Sequence, residues 1–473
     1  MPLTQIIFAG LGSVLFHFFG KKWEKEKVLY VANVFFLFLL QPITSIRYLQ
    51  FILPWLTIFL VISVGWAISK NSDKKFLPKL LLLSFLGFSP FLLSELIPGT
   101  HTFAIYRNIN PRVLWITILI FSVLFIGFSR IKKEEKTLPF FLLLILLIFL
   151  ALKQPQISLL VSKGLRSLFN QNVELASNSE IRWIGYSYIA FRLIHAIREY
   201  QKGRLKDVSV ISFANYCLFF PSLSAGPIAK YDDFSSQMET PKFERNENIM
   251  IGSERLMVGL FKKFVIADSL AMLALNPTNA AQFTSQGWVW LALFFYSLQI
   301  YFDFSGYTDI AIGLGLFLGI KLPENFDKPY LKSNLTKFWD SWHMTLAQWI
   351  RSYYFNPLNR ALRKSKLAHS QSAILLITQV TTMVLIGLWH GVTWTFLVWG
   401  LWHGIGLFIQ NRWSALIRNM GVKVQQKKIL NTIVTSLSTV ITFVYVTVGW
   451  VWFLSPTLQD ALQLIQKMAG KGF

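Results

Sequence analysis

Apolar residues fall in long blocks separated by short basic loops. In the first third of the chain the blocks run over 3–20, 28–43, 48–68, 77–97, 111–129 and 137–152. Lengths near twenty residues match a bilayer hydrocarbon core of about 30 Å, so each block predicts a transmembrane helix. Residues 3–20 lack a preceding basic stretch and a small-residue cleavage site, and read as a retained span rather than a cleaved signal. The pattern changes over 153–275, where apolar stretches are short and carry Arg182, Arg192, His195, Arg198, Lys262, Lys263 and Asp268. Such segments suit re-entrant, interfacial or protein-buried helices. Pro221, Gly226 and Pro227 predict a helix break between 212 and 228. Long spans resume at 288–320, 373–388, 394–411 and 430–454. Period-two alternation is missing, which argues against a transmembrane β-barrel. The pattern predicts an all-α polytopic membrane protein. It has about ten to twelve transmembrane helices, with re-entrant and interfacial helices around a polar centre.

Charge adds an orientation. Lysines and arginines concentrate in loops 21–27, 70–79 and 130–136, each two spans from the next, whereas 41–47 and 98–110 are poorer in lysine. The positive-inside rule puts the rich loops in the cytoplasm and the N-terminus outside. Residues 321–366, with nine Lys/Arg against three Asp/Glu, join the cytoplasmic side. Their aromatic content fits an interfacial helix or a substrate-binding rim. The net charge of +23 is thereby explained without nucleic acid, and no folded basic domain is evident. The lone Cys217 excludes an internal disulfide and a cysteine-based zinc site.

Composition reinforces the membrane reading: 53% of residues are hydrophobic and only 15% charged, against about a quarter charged in soluble domains. Ionisable groups are costly in such a chain and usually serve function. Four of the seven histidines lie within 343–403, and three of these, His343, His390 and His403, directly follow a tryptophan. His390, between Trp389 and Gly391 at a span end, has the setting of a general base. From spacing alone it reads equally as a packing imidazole. His343 and His403 alone read more simply as packing residues, and His369 as a loop residue. The gaps of 47 and 13 residues between the three Trp-flanked histidines do not follow zinc spacing, and no HExxH occurs, so no metal is expected. Nucleophile-elbow, P-loop and dinucleotide glycine motifs are missing. Direct transfer assisted by a histidine is therefore favoured over a covalent enzyme intermediate. The stretch Tyr301-Phe302-Asp303-Phe304-Ser305-Gly306-Tyr307-Thr308-Asp309 interrupts an apolar run with two carboxylates. It either lines a cavity or forms a network that pins helices together, the latter being favoured. Gly313-Leu314-Gly315 reads as close helix packing.

Five linked motifs resemble the membrane-bound O-acyltransferase family, in its bacterial alginate O-acetylation and teichoic acid D-alanyl transfer branch. They are Phe219-Phe220-Pro221-Ser222-Leu223-Ser224-Ala225-Gly226-Pro227, Gln299–Ala311, Leu322-Pro323-Glu324-Asn325-Phe326, Phe338–Leu346, and Leu388-Trp389-His390-Gly391 with Trp394 and Trp399–Gly404. The resemblance covers about 180–455. It implies a ring of helices around a central funnel, with His390 as catalytic histidine and His343 as a second functional one. It also implies a funnel or substrate-binding set of Trp339, Trp342, Trp389, Trp394, Asp303, Ser305, Tyr307, Asp309, Asn325 and His403. Asp340-Ser341 stand where the family commonly carries two arginines, and Trp452-Phe453-Leu454 replaces a Phe-Phe-Arg ending. These departures bear on donor and acceptor rather than on reaction class.

The expected organisation is N-terminal helices over 1–170, a catalytic core over 171–455 and a tail over 456–473. The expected activity is transfer of an acetyl- or D-alanyl-type acyl group to a hydroxyl of a cell-envelope polysaccharide, teichoic acid or partner protein. The donor would be a cytoplasmic thioester, acyl-CoA or acyl carrier protein, with no tightly bound cofactor, at a multi-pass site in the inner cell membrane. An exported acyl-accepting partner is a further candidate. The competing readings are a transporter or flippase whose histidines, with Asp303 and Asp309, relay protons or bind substrate near the midplane, and an acyltransferase acting on lipid.

Overall fold

A computed structural model describes residues 5–6, 9–10, 12–13, 22–69, 76–96, 111–130, 137–205, 208–240, 245–420 and 428–471. The expected span 3–20 and the basic loops 70–75 and 131–136 lie outside these, apart from isolated residues. The described chain is helical, with one isolated antiparallel bridge between Phe326 and Trp342. It divides into two units, residues 1–256 with 310–323, and residues 257–309 with 324–473.

The first unit opens with α1 (Lys22–Leu40), α2 (Leu49–Ile68), α3 (Phe76–Leu96), α4 (Pro111–Arg130) and α5 (Thr137–Lys153). Four of the five start and end within two residues of the expected spans. The exception is α1, which begins at Lys22 instead of 28. The intervening Lys and Glu residues are good helix formers and extend the helix into the expected loop. The helices cohere through rings: Phe38 packs against Trp55 and Phe88, and Trp55 stacks on Phe121 at 6.0 Å. Outward positions remain apolar, with Trp115, Leu119 and Val123 on α4 and Phe140, Leu143 and Leu147 on α5 all exposed. In a membrane protein such a stripe faces lipid.

A sharp bend of 93° separates α5 from α6 (Pro155–Leu168). Pro155 occupies the first helical turn and the Gln154 side chain accepts from Ile157 N at 2.6 Å, so the sequence starts a new helix there. The buried stripe of α6 is polar. Ser162 donates to Glu180 at 2.5 Å, and Arg166 forms a buried two-pronged pair with the same carboxylate.

The segment expected to be irregular is buried in protein. α7 (Tyr186–Gln201) buries Arg192 and His195, and every residue of α8 (Val210–Leu218) is buried. α8 stops before Phe219, and a single 3-10 turn follows over Phe220–Ser222, inside the expected break. Arg192 holds this kink. It donates to the carbonyls of Cys217 (2.9 Å) and Ser222 (2.8 Å) and to Ser222 Oγ (2.6 Å). Asn33 of α1 bonds Asn215 and accepts from Phe220 N, both at 3.0 Å. α9 (Tyr231–Glu239) and α10 (Arg245–Leu260) complete the order. Gly313 lies so close to Gly252 O that a Cβ would come within 2.7 Å, the packing role expected for that glycine pair.

The second unit is built on α11 (Gln286–Phe317, whose end belongs to the first unit), α12 (Leu335–Trp339), α13 (Met344–Ile350), α14 (Asn356–Arg363), α15 (Gln371–His390), α16 (Trp394–Asn419), α17 (Lys428–Leu454) and α18 (Leu458–Met468). α15 and α16 form a tight hairpin. A Cβ on Gly400 would meet Val384 Cα at 2.6 Å and Met383 O at 2.7 Å, and one on Gly404 would meet Val380 Cα at 2.6 Å. These contacts are with backbone, which cannot step aside. Among the described residues, three helices are long and apolar enough to cross a membrane: α2, α15 and α17 from Ile429. A fourth is added if the bent α5–α6 pair is one span.

Replacing Arg192 with leucine should strand several buried acceptors, each costing about 1–3 kcal/mol. The expected outcome is a clearly lower thermal midpoint in detergent. Lysine should restore only part of it, because a single ammonium cannot reproduce the guanidinium fork. Thermal unfolding followed by size-exclusion recovery checks this.

Candidate functional site

Helix α15 carries His390 as its last residue, and the chain turns through Gly391 into α16. The turn is capped from the next helix, where the Thr393 side chain accepts from Phe396 N. Half-buried His390 is walled by four rings. Trp389 lies at 4.6 Å, Phe453 edge-on at 4.8 Å, Trp399 edge-on at 5.8 Å, and Phe396 stacked at 5.9 Å.

His343 sits immediately before α13, in the left-handed region at φ 45°, ψ 51°. A non-glycine residue there costs about 1–3 kcal/mol, a strain that clusters at functional sites. Asn325 over-determines it: its carbonyl accepts from Met344 N at 2.9 Å and its Oδ1 accepts from Thr345 Oγ1 at 2.6 Å. The imidazole is buried. Phe304 packs edge-on against it at 4.8 Å, and Trp389 stands 6.2 Å away. Neither ring nitrogen finds a hydrogen-bonding side chain among the described residues. Burial pushes its pKa down to about 3, so the ring is neutral. Trp389 therefore touches both His390 and His343, although they are 47 residues apart in sequence.

His403 is fully buried one layer away, between Trp339 (5.0 Å) and Trp399 (4.9 Å). Trp342 belongs to the supporting stack, packing on Phe338, Phe326, Tyr330 and Trp450. Trp394 is 71% exposed at the start of α16 and stands apart from the rings around His390.

The carboxylates of α11 are paired. Lys262 donates to Asp309 at 2.6 Å, and Lys263 bonds Asp303. Both lysines lie on a π-helical turn, Phe261–Ala267. Gly306 admits that turn, since a Cβ there would meet Gly259 O and Lys263 N at 2.9 Å. This is the pinning network favoured from the sequence. Ser305 and Tyr307 are buried beside it.

A cavity of about 290 Å³ is lined among others by Trp339, Arg351, Gln379, Thr382, Ile386 and Asn411. Ile386 is four residues, one helical turn, before His390. Among the described residues, three buried polar atoms on the lining find no hydrogen-bond partner: Trp339 Nε1, Gln379 Oε1 and Thr382 Oγ1. At its edge Arg351 pairs with Asp340 at 2.5 Å, both exposed. Asp340 is one of the two residues that replace the expected arginines. Gln379, Thr382, Phe304 and Phe453 were not among the residues expected to form the site. The first two share a helix face with His390, a spacing that could have flagged them. Among the described residues no group of His, Cys, Asp and Glu is placed to hold a metal.

This geometry, a histidine hairpin in an apolar helical bundle, accords with a match of residues 131–448 to the family model of the membrane-bound O-acyltransferases. The chain belongs to that family and is a membrane protein. It is 36% identical over 290 residues to a probable alginate O-acetylase of Pseudomonas aeruginosa, covering 61% of this chain and 52% of that protein. A peptidoglycan O-acetyltransferase of Helicobacter pylori is 36% identical over 262 residues, covering 55% and 47%. A teichoic acid D-alanyltransferase of Streptococcus thermophilus is 30% identical over 244 residues, covering 50% and 59%. The matched segments thus span about half the length of these relatives.

The hairpin predicts a sharp intolerance. Gly400→Ala must push α15 from α16 against backbone, at a cost of about 1–3 kcal/mol. It should also displace Trp399 from His390. The thermal midpoint should fall, and the quenching of tryptophan fluorescence by acrylamide should rise. Gly127→Ala, where a Cβ would meet nothing within 4 Å, should change neither.

Proposed function

We propose that this protein is an O-acyltransferase of the cell membrane, moving an acyl group from a cytoplasmic thioester to a hydroxyl of a cell-envelope polymer. The observation that carries this reading is His390, ring-walled at a helix end, one turn from a cavity with unpartnered polar atoms. His390 takes the proton from the acceptor hydroxyl as its oxygen attacks the thioester carbonyl carbon. The tetrahedral intermediate collapses with cleavage of the carbon–sulfur bond, and the imidazolium returns the proton to the departing thiolate. His343, neutral and held in a strained backbone, donates a hydrogen bond to the carbonyl oxygen as it gains charge.

The donor would enter through the cavity on α15. A phosphopantetheine arm offers two amides and a hydroxyl, groups that suit Trp339 Nε1, Gln379 Oε1 and Thr382 Oγ1. Arg351, Lys337, Arg360, Arg363 and Lys364 on the same stretch favour the phosphate of coenzyme A or an acidic carrier protein. In this reading the basic loops face the cytoplasm, the chain is multi-pass in the inner membrane, and some ten to twelve spans surround a central funnel. The acceptors named for the relatives, alginate, peptidoglycan and teichoic acid, define the class of polymer to test.

His390→Ala, purified as a monodisperse species and reconstituted in liposomes, should lose at least about 1,000-fold in acyl transfer. Thr382→Val with Gln379→Leu should raise the KM for the thioester about tenfold and leave kcat within about twofold, the signature of lost uniform binding. Wild-type turnover by His390→Ala would overturn the assignment of the base. An unchanged donor KM in the double variant would overturn the donor cavity.

A further inference from the structure

A second cavity, of about 260 Å³, lies where α17 ends, lined among others by Asn276, Leu454, Pro456, Asp460, Gln463 and Lys467. Its place relative to His390 follows from the course of α17. Tyr445 packs on Trp402, Trp450 on Trp399, and Phe453 on His390. The cavity begins at the next residue, Leu454. The first cavity uses Leu407 and Asn411 of α16, two to three turns from Trp399 in the opposite direction. The two cavities therefore lie on opposite sides of the aromatic layer that holds His390.

The walls are fixed. Lys467 Nζ donates to Phe283 O at 3.2 Å and to Ala280 O at 3.4 Å, tying the 276–283 loop to α18. Gln286 and Trp290 both donate to Met468 O, at 2.7 and 3.1 Å, tying the end of α18 to α11. Thr457 and Asp460 close a capping box at the start of α18, which occupies only Oδ2 of the carboxylate. The lining thus offers a carboxylate acceptor at Asp460, an amide on Gln463 that both donates and accepts, and the Nδ2 donor of Asn276, whose Oδ1 already accepts from Thr278 N, Thr278 Oγ1 and Asn279 N. One carboxylate and one ammonium balance in charge. Pro277, Pro456, Leu454 and Leu464 supply flat apolar surface between these groups. Alternating hydroxyl-binding groups and C–H surface suit a sugar ring. The volume, just under the about 300 Å³ where drug-sized sites begin, holds one ring and not a chain.

We infer that this cup is an acceptor-side subsite that binds one sugar ring of a cell-envelope polysaccharide, on the opposite side of His390 from the thioester. The inference rests on the acyl-transfer reading for its role, but the binding itself does not depend on it. Contacts made equally in the ground state and the transition state set acceptor KM and leave kcat unchanged.

The test uses full-length protein in nanodiscs, with Gln463→Ala and Asn276→Ala made separately. Gln463 is exposed on α18 and its loss should not impair folding. The probes are an alginate oligosaccharide, a peptidoglycan-derived disaccharide and a glycerol-phosphate oligomer. Binding is read by calorimetry, and transfer from acetyl-CoA and from D-alanyl carrier protein is read in parallel. The expected result is that a sugar probe binds wild type and binds each variant about tenfold more weakly. Acceptor KM should rise to match, with donor KM and kcat within about twofold. Equal sugar binding by wild type and both variants overturns the subsite, as does binding of the glycerol-phosphate oligomer alone. Sugar binding that depends on Gln463, in a wild-type protein that transfers from neither donor, upholds the subsite and overturns the acyl-transfer reading.

Discussion

The approach of two backbones at α15 and α16 sets the position of everything around His390. With Gly387, Gly400 and Gly404 facing the opposite helix, the hairpin closes to distances at which any side chain would collide with main chain. In a lipid environment, where apolar burial drives helix association weakly, such small-residue contacts are a main source of helix affinity. The close approach brings Trp399 of α16 beside His390 of α15, and α17 then lays Trp450 and Phe453 over both. The ring walls restrict the imidazole from several sides.

His343 is held by a different means. Its position depends on one buried residue, Asn325, whose main-chain carbonyl accepts from Met344 N and whose side-chain oxygen accepts from the Thr345 hydroxyl, both just after the left-handed residue. Phe304 then seals the ring from the α11 side. α11 is itself fixed by the two lysine–aspartate pairs of the π turn. Ion pairs of this kind are weak evidence for stability in general, since desolvation offsets attraction. Their geometric effect is clearer. Two adjacent lysines on a widened turn reach two carboxylates six residues apart, and this sets the rotation of α11 that presents Phe304 to His343.

Much of this was legible in the sequence, for identifiable reasons. Spans such as Leu49–Ile68 and Gln371–His390 emerge within two residues of expectation, because their apolar content leaves few alternatives. The histidines stood out because ionisable groups are rare in such a chain. The partners of Asp303 and Asp309 were not legible, since Lys263 and Lys262 lie 40 and 47 residues away and nothing local encodes the pairing. Gln379 and Thr382 escaped notice because two polar residues scarcely change the hydropathy of a span; only their shared face with His390 gives them meaning. Trp394 shows the converse. It stands in the motif beside Gly391, yet the first turn of α16 points it outward. Motif membership locates a segment, and helical phase decides which of its side chains reach the site.

Placing the histidines in one aromatic layer with a cavity on either side has a chemical consequence. A thioester and a hydroxyl that met in open water would compete with hydrolysis. In the proposed reaction, such a layer would let the thioester and the hydroxyl each reach the imidazole from its own side without a shared aqueous path. The layer must then be narrow at His390 and tight elsewhere, which is what the sealed rings of Trp339, Trp399, Trp450 and His403 supply. His403 fits this account as a filler of the seal. It is fully buried, ring-packed on three sides, and so close to Gly449 that any side chain there would strike its Nε2. His343 is nearly as deeply buried as His403, so burial alone does not separate the two; what sets His343 apart is its left-handed backbone beside Asn325.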